Sequence, residues 1–110
     1  MKSEKALLAL GALANEHRLA IYRLLVQAGP DGRAAGAIAD ALQLPASSLS
    51  FHLAHLTRAG LIGQRRESRS LIYSADFDVM NGLVGFLTEN CCGGASCAPA
   101  AQPARKRKAS

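Results

Sequence analysis

Residues 47–77 read SSLSFHLAHLTRAGLIGQRRESRSLIYSADF, and the changes of pattern within them decide the fold. Between Ala46 and Ala59, Leu49, Leu53 and Leu56 recur at helical spacing, so at about 100° per residue they form one core-facing stripe. Ser47, Phe51, Ala54 and Arg58 fall on the opposite side, with Ser50 and His55 at its flanks. Gly60 is a residue that ends helices readily. The period then drops to two. Ile62, Gln64 and Arg66 alternate with Gly63, Arg65 and Glu67, and Leu71-Ile72-Tyr73 resumes a β-prone run. Glu67-Ser68-Arg69-Ser70 between them is short enough to be a hairpin tip.

Working upstream, Ala34–Leu42 is a second helical pattern, with Ile38 and Leu42 on one face. Gln43-Leu44-Pro45 separates it from the next helix, because proline disfavours helix at the residue before it. Two short helices joined by such a turn form a helix-turn-helix. Before them, Asn15 is a candidate N-cap for a core helix carrying Leu19, Ile21, Leu24, Leu25 and Ala28, which Gly29-Pro30-Asp31-Gly32 stops. Ser3–Leu13 reads as a further short helix. Downstream, Asp76 caps a last helix that reaches about Asn90. The fold expected is mainly α with a small β-hairpin, a winged helix-turn-helix over residues 1–90. Residues 91–110 read as a flexible, cysteine-containing tail with a basic end.

That last helix carries Val79, Met80, Leu83, Val84, Phe86 and Leu87, a wider apolar set than one core stripe needs, and Leu7, Leu8 and Leu10 add more. A 110-residue chain has room for one small domain, which cannot bury all of this on itself. A two-fold dimer through the terminal helices would bury it and set two reading helices about one DNA turn apart.

Apolar residues make up 49% of the chain, which excludes wholesale disorder. No stretch is long and apolar enough to span a membrane and no signal peptide opens the chain, so a cytoplasmic protein is expected. The net charge of +5 is unevenly placed. Arg105, Lys106, Arg107 and Lys108 hold most of it, and a second surplus lies around the hairpin. A basic ribbon directly after a helix-turn-helix is a wing, and double-stranded DNA is the partner expected. The candidate DNA contacts are Ser47, Ser48, Ser50, Phe51, His55 and Arg58 on the reading helix, with Arg65, Arg66 and Arg69 on the wing. Hydroxyls bond phosphates or base edges, and Phe51 suits a thymine methyl.

The three cysteines, Cys91, Cys92 and Cys97, fall within seven positions. An odd number in a chain without a signal argues against a disulfide framework. Three thiolates without a nearby fourth ligand match the three bonds of pyramidal As(III) or Sb(III), and Gly93-Gly94 lets the chain bring Cys97 back onto the vicinal pair. Zinc needs one ligand more, from His17, His52, His55 or a carboxylate. A thiol redox switch joining Cys97 to Cys91 or Cys92 is the other use of such a trio. Of the histidines, His52 lies near the inward edge of its helix and reads as a core residue, whereas His55 is more exposed. An enzyme is not expected, and no catalytic cofactor. A cysteine-dependent oxyanion reductase would need an arginine six positions after its cysteine, where this chain has Cys97 and Ala98.

Together with NEHRLAIYRLL (Asn15–Leu25), the quoted run resembles the ArsR/SmtB family of metal- and metalloid-responsive repressors, over about residues 5–90. The matching motifs are Ser50-Phe51-His52-Leu53, Ala59-Gly60-Leu61 and an arginine-rich wing ending in Tyr73. The resemblance implies a homodimer on an inverted-repeat operator, released when an inducer binds. It also implies sensing sites that this chain lacks. Ala34–Leu42 has no Cys-x-Cys, and Asp76 and Asp78 on the last helix have no histidine after His55 to complete a zinc site. Some members resemble the arrangement found here, with cysteines near the end of the last helix that bind trivalent arsenic.

Overall fold

Two side-chain caps fix where two of the helices begin. Asn15 is extended, and its Oδ1 accepts from the backbone N–H groups of His17 and Arg18, both at 3.0 Å. Asp76 Oδ1 accepts from Val79 N–H at 3.1 Å. Each satisfies helix N–H groups that lack an internal partner and is worth about 1 kcal/mol. The computed structural model describes residues 1–94 and contains helices α1 (Ser3–Leu13), α2 (Glu16–Ala28), α3 (Ala35–Leu42), α4 (Ala46–Arg58) and α5 (Phe77–Leu87). Strands β1 (Arg33–Ala34), β2 (Ile62–Glu67) and β3 (Ser70–Ala75) form an antiparallel sheet in the order β1-β3-β2. The hairpin turns through Ser68 and Arg69, with Glu67 opposite Ser70. Winged helix-turn-helix is the architecture.

β1 was not expected. It is two residues long, too short to show an alternating pattern, and it pairs Arg33 with Tyr73 and Ala34 with Ile72. Gly32 makes the pairing possible. It has φ +69, and a Cβ there would strike the Tyr73 carbonyl oxygen, so only glycine fits.

The core gathers Ile21 and Leu25 of α2, Ile38 of α3, Leu49, Leu53 and Leu56 of α4, and Leu61 and Ile62. The stripe predicted for α4 is therefore buried. On α2 the buried face is Arg18, Ile21, Tyr22 and Leu25, and Leu19 is exposed instead of facing the core. Counting apolar residues misplaced it, because helical spacing from Ile21 and Leu25 selects Arg18 and Tyr22. Arg18 repays its burial by donating from Nε to the Ala12 carbonyl at 2.7 Å, which closes the C-terminal end of α1. The Tyr22 hydroxyl is buried with no hydrogen-bond partner among the described residues.

The outer helices are apolar in the reverse sense. α1 buries only the small Ala6, Ala9 and Ala12, while Leu7 and Leu8 are 68% and 62% exposed. α5 buries Leu83 but leaves Val84 and Leu87 at 52% and 57%. α5 also stops earlier than the expected Asn90. After Leu87 the hydrogen bonds tighten to three-residue spacing, Glu89 N–H to Phe86 O and Cys91 N–H to Thr88 O, and Asn90 turns left-handed with φ 58. Cys91–Gly94 then form a kinked turn in which Cys92 and Gly93 are left-handed. Among the described residues no helix is long and apolar enough to cross a membrane.

Candidate nucleic-acid interface

The outward face of α4 follows from its inward one. Because Leu49, Leu53 and Leu56 are held in the core, Ser47, Ser50, Phe51, Ala54 and Arg58 stand exposed, with Ser48 and His55 half-buried. Phe51 is 62% exposed, the one large apolar group on a face of small side chains.

His52 sits on the core side of α4, as expected. Arg18 Nη1 lies 3.4 Å from His52 Nδ1, and since a guanidinium only donates, Nδ1 accepts and Nε2 carries the proton. Burial holds His52 below the ordinary imidazole pKa, and Arg18, His17 and His55 lower it further. His55 is lowered too, by desolvation first and then by Arg18 and Arg58. Both rings are therefore neutral at neutral pH, and the cationic character of this face comes from Arg58. Arg18 thus ties the end of α1 to the reading helix.

The three wing arginines divide by the pleat. Gln64 and Arg66 project to one face of β2, Arg65 and Glu67 to the other. Gln64 lies opposite Tyr73 across the hairpin, and both line a crevice of about 330 Å³ against Ser50, Ala54, Thr57 and Arg58 of α4. Arg66 thus shares the side of the wing that faces the reading helix. Arg65 is committed elsewhere. Its Nε pairs with Glu67 Oε2 at 2.7 Å, and Nη1 and Nη2 donate to the carbonyls of Pro30 (3.3 Å) and Asp31 (2.8 Å). Those bonds brace the wing on the turn before β1. Arg66 and Arg69 are exposed and have no side-chain partner among the described residues. Gln64, Thr57 and Tyr73 were missed by sequence reasoning. The alternation of β2 sorted Gln64 onto the face of Arg66, but nothing in the spacing showed that this face looks toward α4.

The cysteines form a separate region. Cys91 is a half-buried free thiol, and Cys92 is exposed, disulfide-bonded and left-handed, with φ 58. Cys97 and the basic run Arg105–Lys108 lie outside the described residues. Within the described residues no three histidine, cysteine or acidic side chains are grouped to hold a metal ion. The histidines are on α2 and α4, and Asp76 is occupied in capping α5.

A family model described as a helix-turn-helix domain matches residues 13–65. The transcriptional activator HlyU of Vibrio cholerae is 33% identical over 90 residues, covering 82% of this chain and 81% of that protein. A solved structure of reduced HlyU superposes with a TM-score of 0.64 at 34% identity, over 82% of this chain and 92% of that one. The nodulation protein NolR of Rhizobium meliloti is 35% identical over 91 residues, 80% of this chain and 72% of its own length. The homodimeric winged helix-turn-helix DNA-binding domain of a possible ArsR-family regulator from Mycobacterium bovis gives a TM-score of 0.64 at 30% identity, covering 84% and 85% of the two chains.

Proposed function

The chain belongs to the ArsR-like family of winged helix-turn-helix transcriptional regulators, and from that premise we propose that it is a homodimeric repressor which leaves its operator when trivalent arsenic, or antimony, binds Cys91, Cys92 and Cys97. It is a DNA-binding regulator and not an enzyme. One observation carries the DNA geometry. The exposed face of α4 and the Gln64–Arg66 face of the wing bound the same crevice, so a helix in the major groove brings the wing onto the flanking backbone. The outward leucines of α1 support a two-fold dimer, and an inverted-repeat operator follows from its symmetry.

The arsenic reading rests on donor chemistry. Three thiolates suit a soft trivalent ion, and the left-handed Cys92 followed by Gly93 folds the chain tightly at the vicinal pair. All three sulfurs are available only in the reduced protein. A second reading, favoured by the disulfide at Cys92, is that oxidation itself is the signal. Two thiols would lose two protons and two electrons to a peroxide, and the repressor would respond without any metalloid.

The deciding measurement is a titration of the reduced full-length protein with arsenite, following sulfur–arsenic absorbance and release of a selected DNA duplex together. Both should move in one step with a single ion per site. Release that follows peroxide and not arsenite supports the redox reading instead, and saturation with arsenic that leaves the duplex bound sinks the proposed mechanism.

The division among the wing arginines gives its own prediction. Each phosphate contact contributes about 0.9 to the slope of log affinity against log salt. Arg66→Ala should lower the slope by about that amount per protomer. Arg65→Ala should weaken binding through a displaced wing while leaving the slope unchanged. Equal loss of slope in the two variants would show that Arg65 leaves its brace and contacts phosphate.

A further inference from the structure

Phe51 is unlike every other residue on the outward face of α4. Its nearest neighbours there are Ser47, Ser50 and Ala54, so the ring projects beyond them toward a groove floor. It is 62% exposed, on the side of the helix away from the core. Two histidines of its own helix restrict its orientation. The ring stands edge-on to His52, with centroids 5.5 Å apart at 67°, and to His55, 6.4 Å apart at 83°. A ring already braced on two sides loses little freedom when it binds.

A phenyl ring has no hydrogen bond to offer. Against the major-groove edge of a guanine, an adenine or an unmodified cytosine it would strip water from donors and acceptors without replacing it, which is unfavourable. One apolar group is displayed in that groove, the methyl on C5 of a pyrimidine. We infer that Phe51 is a specificity-determining residue that packs on a pyrimidine C5-methyl, so that the regulator prefers a methyl-bearing base at one position of each half-site. The methyl comes from thymine in ordinary DNA or from 5-methylcytosine in modified DNA, and the contact is the same for both. This inference rests on the DNA-binding reading above and adds to it the chemical group that is read.

The test separates the two. Duplexes bound by the purified full-length protein are selected from a random pool, and one of them is remade with deoxyuridine at each thymidine in turn. Removing the methyl at the contacted position should weaken wild-type binding about fourfold per half-site, the worth of one buried carbon. Phe51→Ala should bind more weakly overall and should not distinguish thymidine from deoxyuridine. Its thermal midpoint should match the wild type, because the ring is outside the core. In a second arm, 5-methylcytosine replaces each cytosine of the same duplex. A gain of similar size, seen in the wild type and absent in Phe51→Ala, assigns the contact to methylated cytosine; a loss confined to deoxyuridine assigns it to thymine. Indifference to both changes in a protein that still selects duplexes overturns the inference alone, as does an equal penalty in Phe51→Ala. A protein that selects no duplex overturns the DNA-binding reading with it.

Discussion

Aspartate placed at Leu7 and Leu8 of α1 and at Leu87 of α5 should give a folded monomer that binds operator DNA at least about 100-fold more weakly than the wild type. The reason lies in how α1 is packed. A helix that turns Ala6, Ala9 and Ala12 inward can approach the core closely, but it leaves its larger apolar side chains outside. Burying a leucine is worth about 1.5–3 kcal/mol, and a two-fold interface counts each one twice. Carboxylates at the same positions would be buried in that interface without a cationic partner, which is strongly unfavourable. The substituted sites are exposed in the monomer, so secondary structure by circular dichroism should persist. Light scattering should show half the wild-type mass. Affinity falls because two half-sites held by one dimer act as a linked pair, whereas separate monomers bind each half-site alone. Aspartate at Leu71, an exposed leucine on the wing, is the control and should leave the mass unchanged. A triple variant that remains dimeric would place the interface elsewhere.

Much of this architecture was legible because it depends on local chemistry. Asn15 and Asp76 accept backbone N–H groups at the helix starts where short polar side chains were expected to do so. Gly60, with φ +80, ends α4 where a left-handed residue was needed. What escaped the sequence depends on contacts between distant elements. Arg18 is a charged residue in a core stripe, and only the Ala12 carbonyl and the His52 ring make its burial tolerable. Arg65 looks like Arg66 in the sequence. The carbonyls of Pro30 and Asp31, more than thirty positions away, give it a different task. The short β1 exists because Gly32 lets the chain lie against Tyr73, a contact with no local signature. The reading face of α4 was visible from periodicity, yet its crevice with the wing required the tertiary fold. The cysteine trio is legible as chemistry.

Serine in place of Cys91, in the reduced protein, should weaken arsenite binding about 100-fold, the per-ligand share of a soft-metal site of several thiolates. Operator affinity without arsenite should stay within about twofold, because Cys91 follows α5 and is part of neither α4 nor the wing. Cys92→Ser and Cys97→Ser should behave alike, since a pyramidal trivalent ion uses each sulfur once. The position of Cys91 explains how the signal would travel. It follows α5 by one turn, and α5 carries the exposed Val84 and Leu87 assigned to the dimer face. Binding energy released at the thiols alters DNA affinity only if the loaded turn favours a dimer geometry that fits the operator less well. Linkage then makes the effect reciprocal: if arsenite weakens operator binding 100-fold, operator must weaken arsenite binding by about the same factor. Measuring arsenite affinity with and without a selected duplex checks this directly. Equal affinities in both would mean that the ion binds without regulating. Full release by arsenite in all three serine variants would mean that some other group holds it. The oxidative route separates in the same series, because Cys92→Ser removes the disulfide and should abolish any response to peroxide, whereas release by peroxide that persists in Cys92→Ser would exclude that disulfide as the sensor.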